Sequence, residues 1–397
     1  MLNKEEKIPE KSKVFIEFII YLIFALGPLT GNVILVLYRI LSIEFSVNPN
    51  DILIAIPSFM FPFAITQLFS GAISDIKGRI QVILIGLFTF GIGMTIATIS
   101  FSLIMYLIAN ILGGIGFGFV NPVLIALLTD LSSGPTIPKK MGYLGAVANL
   151  GVGFGPILAG QLVIFSWRYL YLIFMLITAF AFVTLLILRK TPLKSNQKTT
   201  IGLFFKQISE EIRRKVVILM IFSAFLISQT YLAIITWISR ELNHLIPENL
   251  AGIVIGSAGI TGAVAGVLIG KIIKTKGVKI AIIAGLISLY LSILVLLVVD
   301  NVELLFFTTI GLILTGATGG ILIPSMMYYS QVLSKERRGA LAGLLTAGQF
   351  IGIALVPIIY NWFYIHGGIH EVYFMVLIVS FPLVLIIVFL YIFAKKS

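Results

Sequence analysis

Asp75 and Arg79 stand close together in the stretch QLFSGAISDIKGRI, between Gln67 and Ile80, with Gly71 before them and Gly78 between them. Asp75 ends one predicted helix and Arg79 starts the next, so Gly78 has to supply a tight turn. An acid and a base at such an edge can pair and latch a closed state. Gly71 is small enough to let two helices approach closely. A second stretch, GYLGAVANLGVGFGPILAGQL, spaces Gly142, Gly151, Gly155, Pro156 and Gly160 along one predicted helix. Small residues at that spacing flatten a helix face for close packing, and Pro156 bends the helix.

Other chemistries are excluded by residue type. The chain has no cysteine, so disulfides, thiol nucleophiles and zinc–cysteine sites are out. The three histidines, His244, His366 and His370, all fall near the ends of apolar segments. The cluster Gly114-Ile115-Gly116-Phe117-Gly118 lies inside an apolar run with no following Lys, so it packs helices and does not cradle phosphate. No phosphate-binding loop occurs, which rules out an ATP-driven pump. No nucleophile–base pair or metal cluster is present inside an apolar segment, so neither an enzyme, nor a metal site, nor a bound cofactor is expected.

The elements that must position these residues are apolar. Hydrophobic residues make up 59% of the chain and charged residues 11%, against roughly 45–50% and about 25% in soluble domains. A spanning helix needs about 20 mostly apolar residues. Such runs lie near 15–41, 51–74, 80–100, 103–130, 140–165, 168–188, 215–240, 249–273, 279–299, 303–331, 339–364 and 371–394. They predict an all-α membrane protein with 12 transmembrane helices. The polar first residues, Met1 to Lys13, do not form a cleavable signal, and the apolar run that follows is longer than a signal's. The net charge of +12 does not point to nucleic acid, because the basic residues sit in short loops. If both termini are cytoplasmic, only Arg39, Arg168 and Arg240 of the 28 basic residues fall on the outer side, and that bias sets direction. The expected location is the plasma membrane of a prokaryote, with lipid bilayer on all sides.

The chain repeats itself with an offset of about 200 residues. GAISDIKGR (71–79) corresponds to GKIIKTKGV (270–278), the Pro122 segment to the Pro324 segment, and FGPIL around Pro156 to LVPII around Pro357. A same-direction repeat of six helices implies two parallel bundles about an axis along the membrane normal. The expected organisation is an N-terminal six-helix bundle (1–189), a cytoplasmic linker (190–214) and a C-terminal six-helix bundle (215–397). A cavity with a binding site near the midplane is expected between them. In the linker, IGLFFKQISEEIRRK puts Leu203, Phe204, Ile208 and Ile212 roughly on one face, which fits either a short helix on the inner membrane surface or a solvated charged loop.

The loop after the second span resembles the signature loop of the major facilitator superfamily, G-x-x-x-D-x-x-G-R, with Gly71, Asp75, Gly78 and Arg79 in the matching places. The resemblance implies that Asp130, at the inner end of the fourth span, completes the latch. Gly142, Gly151, Gly155, Pro156 and Gly160, with Ala159, fit G-x8-G-x3-G-P-x2-[GA]-G, which is similar to the antiporter motif of the drug/proton antiporter branch. Trp167-Arg168-Tyr169 is also similar to that branch. The resemblance implies a major facilitator fold, alternating access, a monomer, a small-molecule substrate and a proton gradient as the energy source. One departure bears on coupling: Asn110 occupies the place of an Arg usual in that branch. No Asp or Glu lies near a span midpoint, where a proton carrier would be expected by default. That leaves Glu17, Asp75 and Asp130 at the inner edge.

Helical spacing nominates residues for the cavity. Asn32 and Arg39 share a face of the first span, and Asn110 and Asn121 share one of the fourth. Ser228 and Tyr231, Tyr328 and Gln331, and Thr346 and Gln349 are further pairs. Gln229 is one step round from Ser228, so at most one of Gln229 and Tyr231 points straight inward. Each side chain could contact substrate or bond to a neighbouring helix; Arg39 could attract an anion, latch the outer gate or snorkel to headgroups. Amides, tyrosines and many Phe without a central acid suit neutral or anionic, partly apolar substrates. A proton-coupled exporter of drug-like or amphipathic compounds is the leading expectation. The alternative is a symporter or uniporter for a sugar, organic anion or other metabolite.

Overall fold

The computed structural model describes residues 10–132, 136–188, 201–298, 305–333 and 338–394, and every element in them is an α-helix. The helices are α1 (Glu10–Phe45), α2 (Pro49–Ile52), α3 (Ala55–Lys77), α4 (Arg79–Ile99), α5 (Leu103–Asp130), α6 (Ile137–Leu162) and α7 (Arg168–Leu188). They continue as α8 (Ile201–Ile212), α9 (Lys215–Leu245), α10 (Glu248–Lys276), α11 (Val278–Val298), α12 (Leu305–Leu333) and α13 (Arg338–Ala394). Among the described residues, eleven helical stretches are long and apolar enough to cross a membrane. Helices are the natural solution for such a chain, because each satisfies its own backbone groups where no water can.

The last helical stretch is two elements in series. Its apolar part, Gly339–Leu390, runs 52 residues, or about 78 Å at 1.5 Å per residue, far beyond a hydrocarbon core of about 30 Å. Gly368, at φ 70° and ψ −159°, breaks the helix between the two arms. The expected runs 339–364 and 371–394 fall one on each side of that break.

Packing follows the repeat. Within the N-terminal part α4 lies on α5, α3 on α5, α1 on α6 and α4 on α7; within the C-terminal part α11 lies on α12, α10 on α12 and α9 on α13. The two most extensive contacts between the parts are α6 on α10 and α3 on α13, and these are exchanged by the same offset that relates Pro156 to Pro357. The turns repeat as well: Gly78 joins α3 to α4 at φ 96°, and Gly277 joins α10 to α11 at φ 85°. Both torsions lie in the left-handed region that glycine tolerates and other residues avoid.

Interhelix spacing is set by glycine. A Cβ on Gly316 would lie 1.9 Å from the Ala258 carbonyl oxygen, and one on Gly320 would lie 2.2 Å from that of Gly262. Thus α10 and α12 touch backbone to backbone. Ser292 on α11 donates to the Gly311 carbonyl of α12 at 2.9 Å, and Ser288 to that of Leu314 at 2.8 Å. Small residues and hydroxyls take the place of apolar side chains between helices that lipid would solvate equally well.

Helix ends differ from the expected spans in informative ways. α1 runs on to Phe45 and α9 to Leu245, so Arg39, Arg240 and His244 are helical residues. In the linker, the α8 segment is helical and contacts α3, α9 and α13. Ile208 packs inward, Glu211 is buried and Ile212 is 44% exposed. The first part of the linker, like Lys4, Lys7 and most of the loop holding Lys335 and Arg337, lies outside the described residues.

Gly316→Leu is expected to destabilise the protein by roughly 1–3 kcal/mol through overpacking against α10. Gly343→Leu, whose Cβ would meet nothing within 4 Å, is expected to leave stability unchanged. Thermal unfolding of the two purified variants in detergent checks this pair.

Candidate functional site

A cavity of about 240 Å³ lies between the two packed parts of the chain. Its walls come from α1, α3, α5 and α6 on one side and α9, α12 and α13 on the other. Aromatic and apolar side chains dominate: Phe24, Phe59, Phe63, Phe117 and Phe350 face it, with Met60 beside them. Phe63 bridges the two parts, meeting the Phe350 ring edge-on at 4.4 Å and the Phe117 ring at 5.7 Å. The polar lining is Asn32, Asn121, Asn149, Tyr231, Thr236 and Gln349. Among the described residues the lining holds no Asp, Glu, Lys, Arg or His.

Four of the residues nominated from helical spacing therefore line the cavity: Asn32, Asn121, Tyr231 and Gln349. Four do not. Arg39 is exposed two turns beyond Asn32, about 10 Å further along the axis, so a shared face did not mean a shared depth. Asn110 is separated in the same way from Asn121; its amide donates to the Tyr106 carbonyl at 2.8 Å, beside the Tyr106–Tyr171 hydroxyl pair. Gln229 is buried and donates to the Gly352 carbonyl of α13 at 2.8 Å; it ties helices together while Tyr231 faces inward. Tyr328 is 47% exposed, a turn of α12 beyond the cavity-lining Pro324.

Spacing missed Asn149 and the phenylalanines. Asn149 lies inside the glycine-rich helix, where small residues and not polar pairs set the pattern. Nothing in an apolar span marks which Phe faces inward and which faces lipid.

The cavity is sealed at one end and opens at the other. The seal lies at the end carrying the α9–α10 turn. There Asn243, fully buried, donates across to the Leu35 carbonyl of α1 at 2.8 Å. Arg240 donates to the Asn50 side chain at 2.7 Å and to the Tyr364 hydroxyl, which donates in turn to Glu241. Trp237 stacks on Tyr364 at 4.6 Å. The α6–α10 seam is tight at the same end: a Cβ on Gly160 would sit 2.3 Å from the Glu248 carbonyl oxygen, and one on Gly259 would sit 2.1 Å from the Gly153 nitrogen. Toward the other end, among the described residues, no glycine contact of that closeness joins the two parts. A Cβ on Gly71, Gly142, Gly145, Gly270 or Gly339 would meet nothing within 4 Å.

That opening revises two expectations. Gly71 and Gly142 do not pack against a neighbouring helix in this conformation. Gly151 and Gly155 do, with Cβ positions 2.8 Å from Pro28 and 2.7 Å from the Leu29 carbonyl oxygen of α1. The glycine-rich helix is thus pressed on two sides, by α1 through Gly151 and Gly155 and by α10 through Gly153, Pro156 and Gly160.

At the open end, Arg79 pairs with Asp75 at 2.5 Å and with Asp130 at 3.1 Å, and donates to Ser74 at 2.6 Å. The three charged residues come from α4, α3 and α5, all in the N-terminal part. They tie those helices to one another and do not bridge to the C-terminal part. Glu17 pairs with Lys140, joining α1 to α6. At the sealed end Arg168 pairs with Glu44 at 2.8 Å, donates to the Ser100 carbonyl at 2.8 Å and covers the Trp167 ring at 4.4 Å.

Gly160→Leu is expected to force the seal apart. Because the chain has no cysteine, Thr236→Cys gives a single reporter in the cavity. Its labelling by an impermeant maleimide, applied to the membrane face that carries the α9–α10 turn, is expected to rise several-fold when Gly160→Leu is added.

Comparison with known proteins agrees with this geometry. The model of the Major Facilitator Superfamily matches residues 18–242 and 217–397. The chain is 25% identical over 352 residues to the quinolone resistance protein NorA of Staphylococcus aureus, covering 84% of this chain and 86% of that protein. It is 23% identical over 326 residues to multidrug resistance protein 2 of Bacillus subtilis (strain 168), covering 75% and 78%. A POT family transporter solved in complex with 5-aminolevulinic acid shares the fold at a TM-score of 0.77 and 13% identity, over 95% of both chains. A cavity between two repeat-related sets of helices, closed at one end, together with a family match along nearly the whole sequence, places this chain in the Major Facilitator Superfamily as a multi-pass membrane transporter.

Proposed function

We propose that the chain is a proton-coupled exporter of drug-like or amphipathic small molecules, working as a monomer by alternating access. Its twelve spans form two six-helix bundles, residues 1–189 and 215–397, joined by a cytoplasmic linker at 190–214. The α13 run contributes two spans, one on each side of Gly368. Both termini face the cytoplasm, as the placement of Lys and Arg requires, and the cell membrane is the site of action. In this orientation the open end of the cavity faces the cytoplasm and the seal built on Asn243 and Arg240 faces outside.

The observation that carries the reading is a largely apolar cavity lined by both parts of the chain and sealed at one end. A solute entering from the open end would be released on the other side once the α6–α10 and α3–α13 seams close at one end and part at the other. That is the rocking of repeats about a fixed midplane site. The drug-resistance relatives support export as the direction. Protons have no acid to ride on in the cavity, so the inner-edge acids Glu17, Asp75 and Asp130 are the places where coupling would reside. The amide-rich, acid-free lining favours a second reading, a permease for a neutral metabolite.

Reconstituted in liposomes with an imposed pH gradient, the protein is expected to move lipophilic dyes and drugs together with a counterflow of protons. Asp75→Asn is expected to abolish that movement. Transport of sugars or organic solutes without proton flux, and of no dye, would replace the exporter with the permease.

A further inference from the structure

Two carboxamides in the cavity are oriented by their own helices. The Asn32 amide nitrogen lies 2.7 Å from the Pro28 carbonyl oxygen, and that of Asn149 lies 3.0 Å from the Gly145 carbonyl oxygen. Each partner is four residues back on the same helix. A carbonyl oxygen accepts and cannot donate, so only the NH₂ of the carboxamide can serve it. The side-chain oxygen is therefore the atom turned away from the helix backbone. Neither oxygen has a hydrogen-bond partner among the described residues, and both side chains line the cavity.

The two come from adjoining helices. α1 and α6 press together where the Gly155 Cβ position is 3.5 Å from the Asn32 Cβ. Phe63 and Phe350, which meet edge-on at 4.4 Å, line the same cavity, so it offers aromatic rings as well as acceptor oxygens. The lining holds no carboxylate to neutralise a cation and no Lys or Arg to neutralise an anion. A charged solute would leave water and find no counter-charge, which is unfavourable in a low-dielectric site. A neutral solute with N–H or O–H groups would find an acceptor for each of two donors and ring faces for its apolar body.

We propose that the cavity selects uncharged aromatic solutes bearing hydrogen-bond donors, with Asn32 and Asn149 as the specificity-determining acceptors. This rests on the cavity being the substrate site of the transporter. It narrows that site to neutral donors and against permanently charged cations and anions.

The test is equilibrium binding to the purified full chain, using a neutral aryl amide and the trimethylammonium derivative of the same ring system. The wild type is expected to bind the neutral probe about tenfold tighter or more, equivalent to about 1.4 kcal/mol. Asn32→Asp and Asn149→Asp each place a carboxylate where the acceptor stood, and are expected to reverse the order in favour of the cation. Equal or tighter binding of the cation by the wild type overturns the specificity while leaving the transporter site in place. Asp variants that fold, as read by thermal unfolding, yet keep the wild-type order overturn the role of the two asparagines. Binding of neither probe by the wild type overturns both the specificity and the drug-export reading. The wild-type comparison decides the substrate class even if an Asp variant fails to fold.

Discussion

Where α6 meets α10 there is room for hydrogen and nothing larger. The Gly153 backbone sits where a Cβ of Gly259 would go, and the Glu248 carbonyl sits where one of Gly160 would go. Lipid tails solvate leucine as well as another leucine does, so apolar side chains give helices little reason to associate inside a bilayer. Close backbone approach supplies dispersion contact that lipid cannot match. This seam and the α3–α13 contact are the largest between the two parts of the chain, with the contacts of α9 to α1 and α2 in the seal added at one end, and the cavity lies between them.

The same seam explains why one end is shut and the other open. Its closest contacts run from Gly160 to Gly153, and Asn149 still lies against Gly262 and Gly266 of α10; Gly145 and Gly142, further along the same helix, have open space beside them. Small residues continue past the contact, so α6 can meet a partner there in another arrangement without rebuilding side chains. The seal adds polar contacts of a kind that breaks cleanly: Asn243 to a main-chain carbonyl, and Arg240 to Asn50 and Tyr364. Each of these groups can hydrogen-bond to water as well as to its present partner.

Charge is distributed unevenly between the repeats. The tight turns at Gly78 and Gly277 share their backbone geometry, but the Asp75–Arg79–Asp130 cluster has no counterpart: Lys274 and Val278 stand in the places of Asp75 and Arg79. Arg79 and both acids are mostly shielded from solvent. Removing one partner from such a group leaves charge stranded, so the cluster locks α3, α4 and α5 into one unit. The C-terminal turn, with lysines alone, carries topological charge without that lock.

The sequence by itself determined the spans, the family and the turn glycines, because each depends on local composition or on residues adjacent in the chain. Twenty apolar residues make a helix wherever they are placed, and Gly78 takes its torsion from the turn it sits in. It also set Asn32, Asn121, Tyr231 and Gln349 on inward faces, since a helix fixes direction around its axis. Only the tertiary structure decided depth, which is why Arg39 and Asn110, on the correct faces, lie outside the cavity. It alone decided which of many phenylalanines face inward and that Gly71 has no neighbour while Gly153 has one. It also joined Arg240 to Asn50 and Asn243 to Leu35, pairs about 200 residues apart, because those contacts exist only after the two repeats have packed and chosen which end to close.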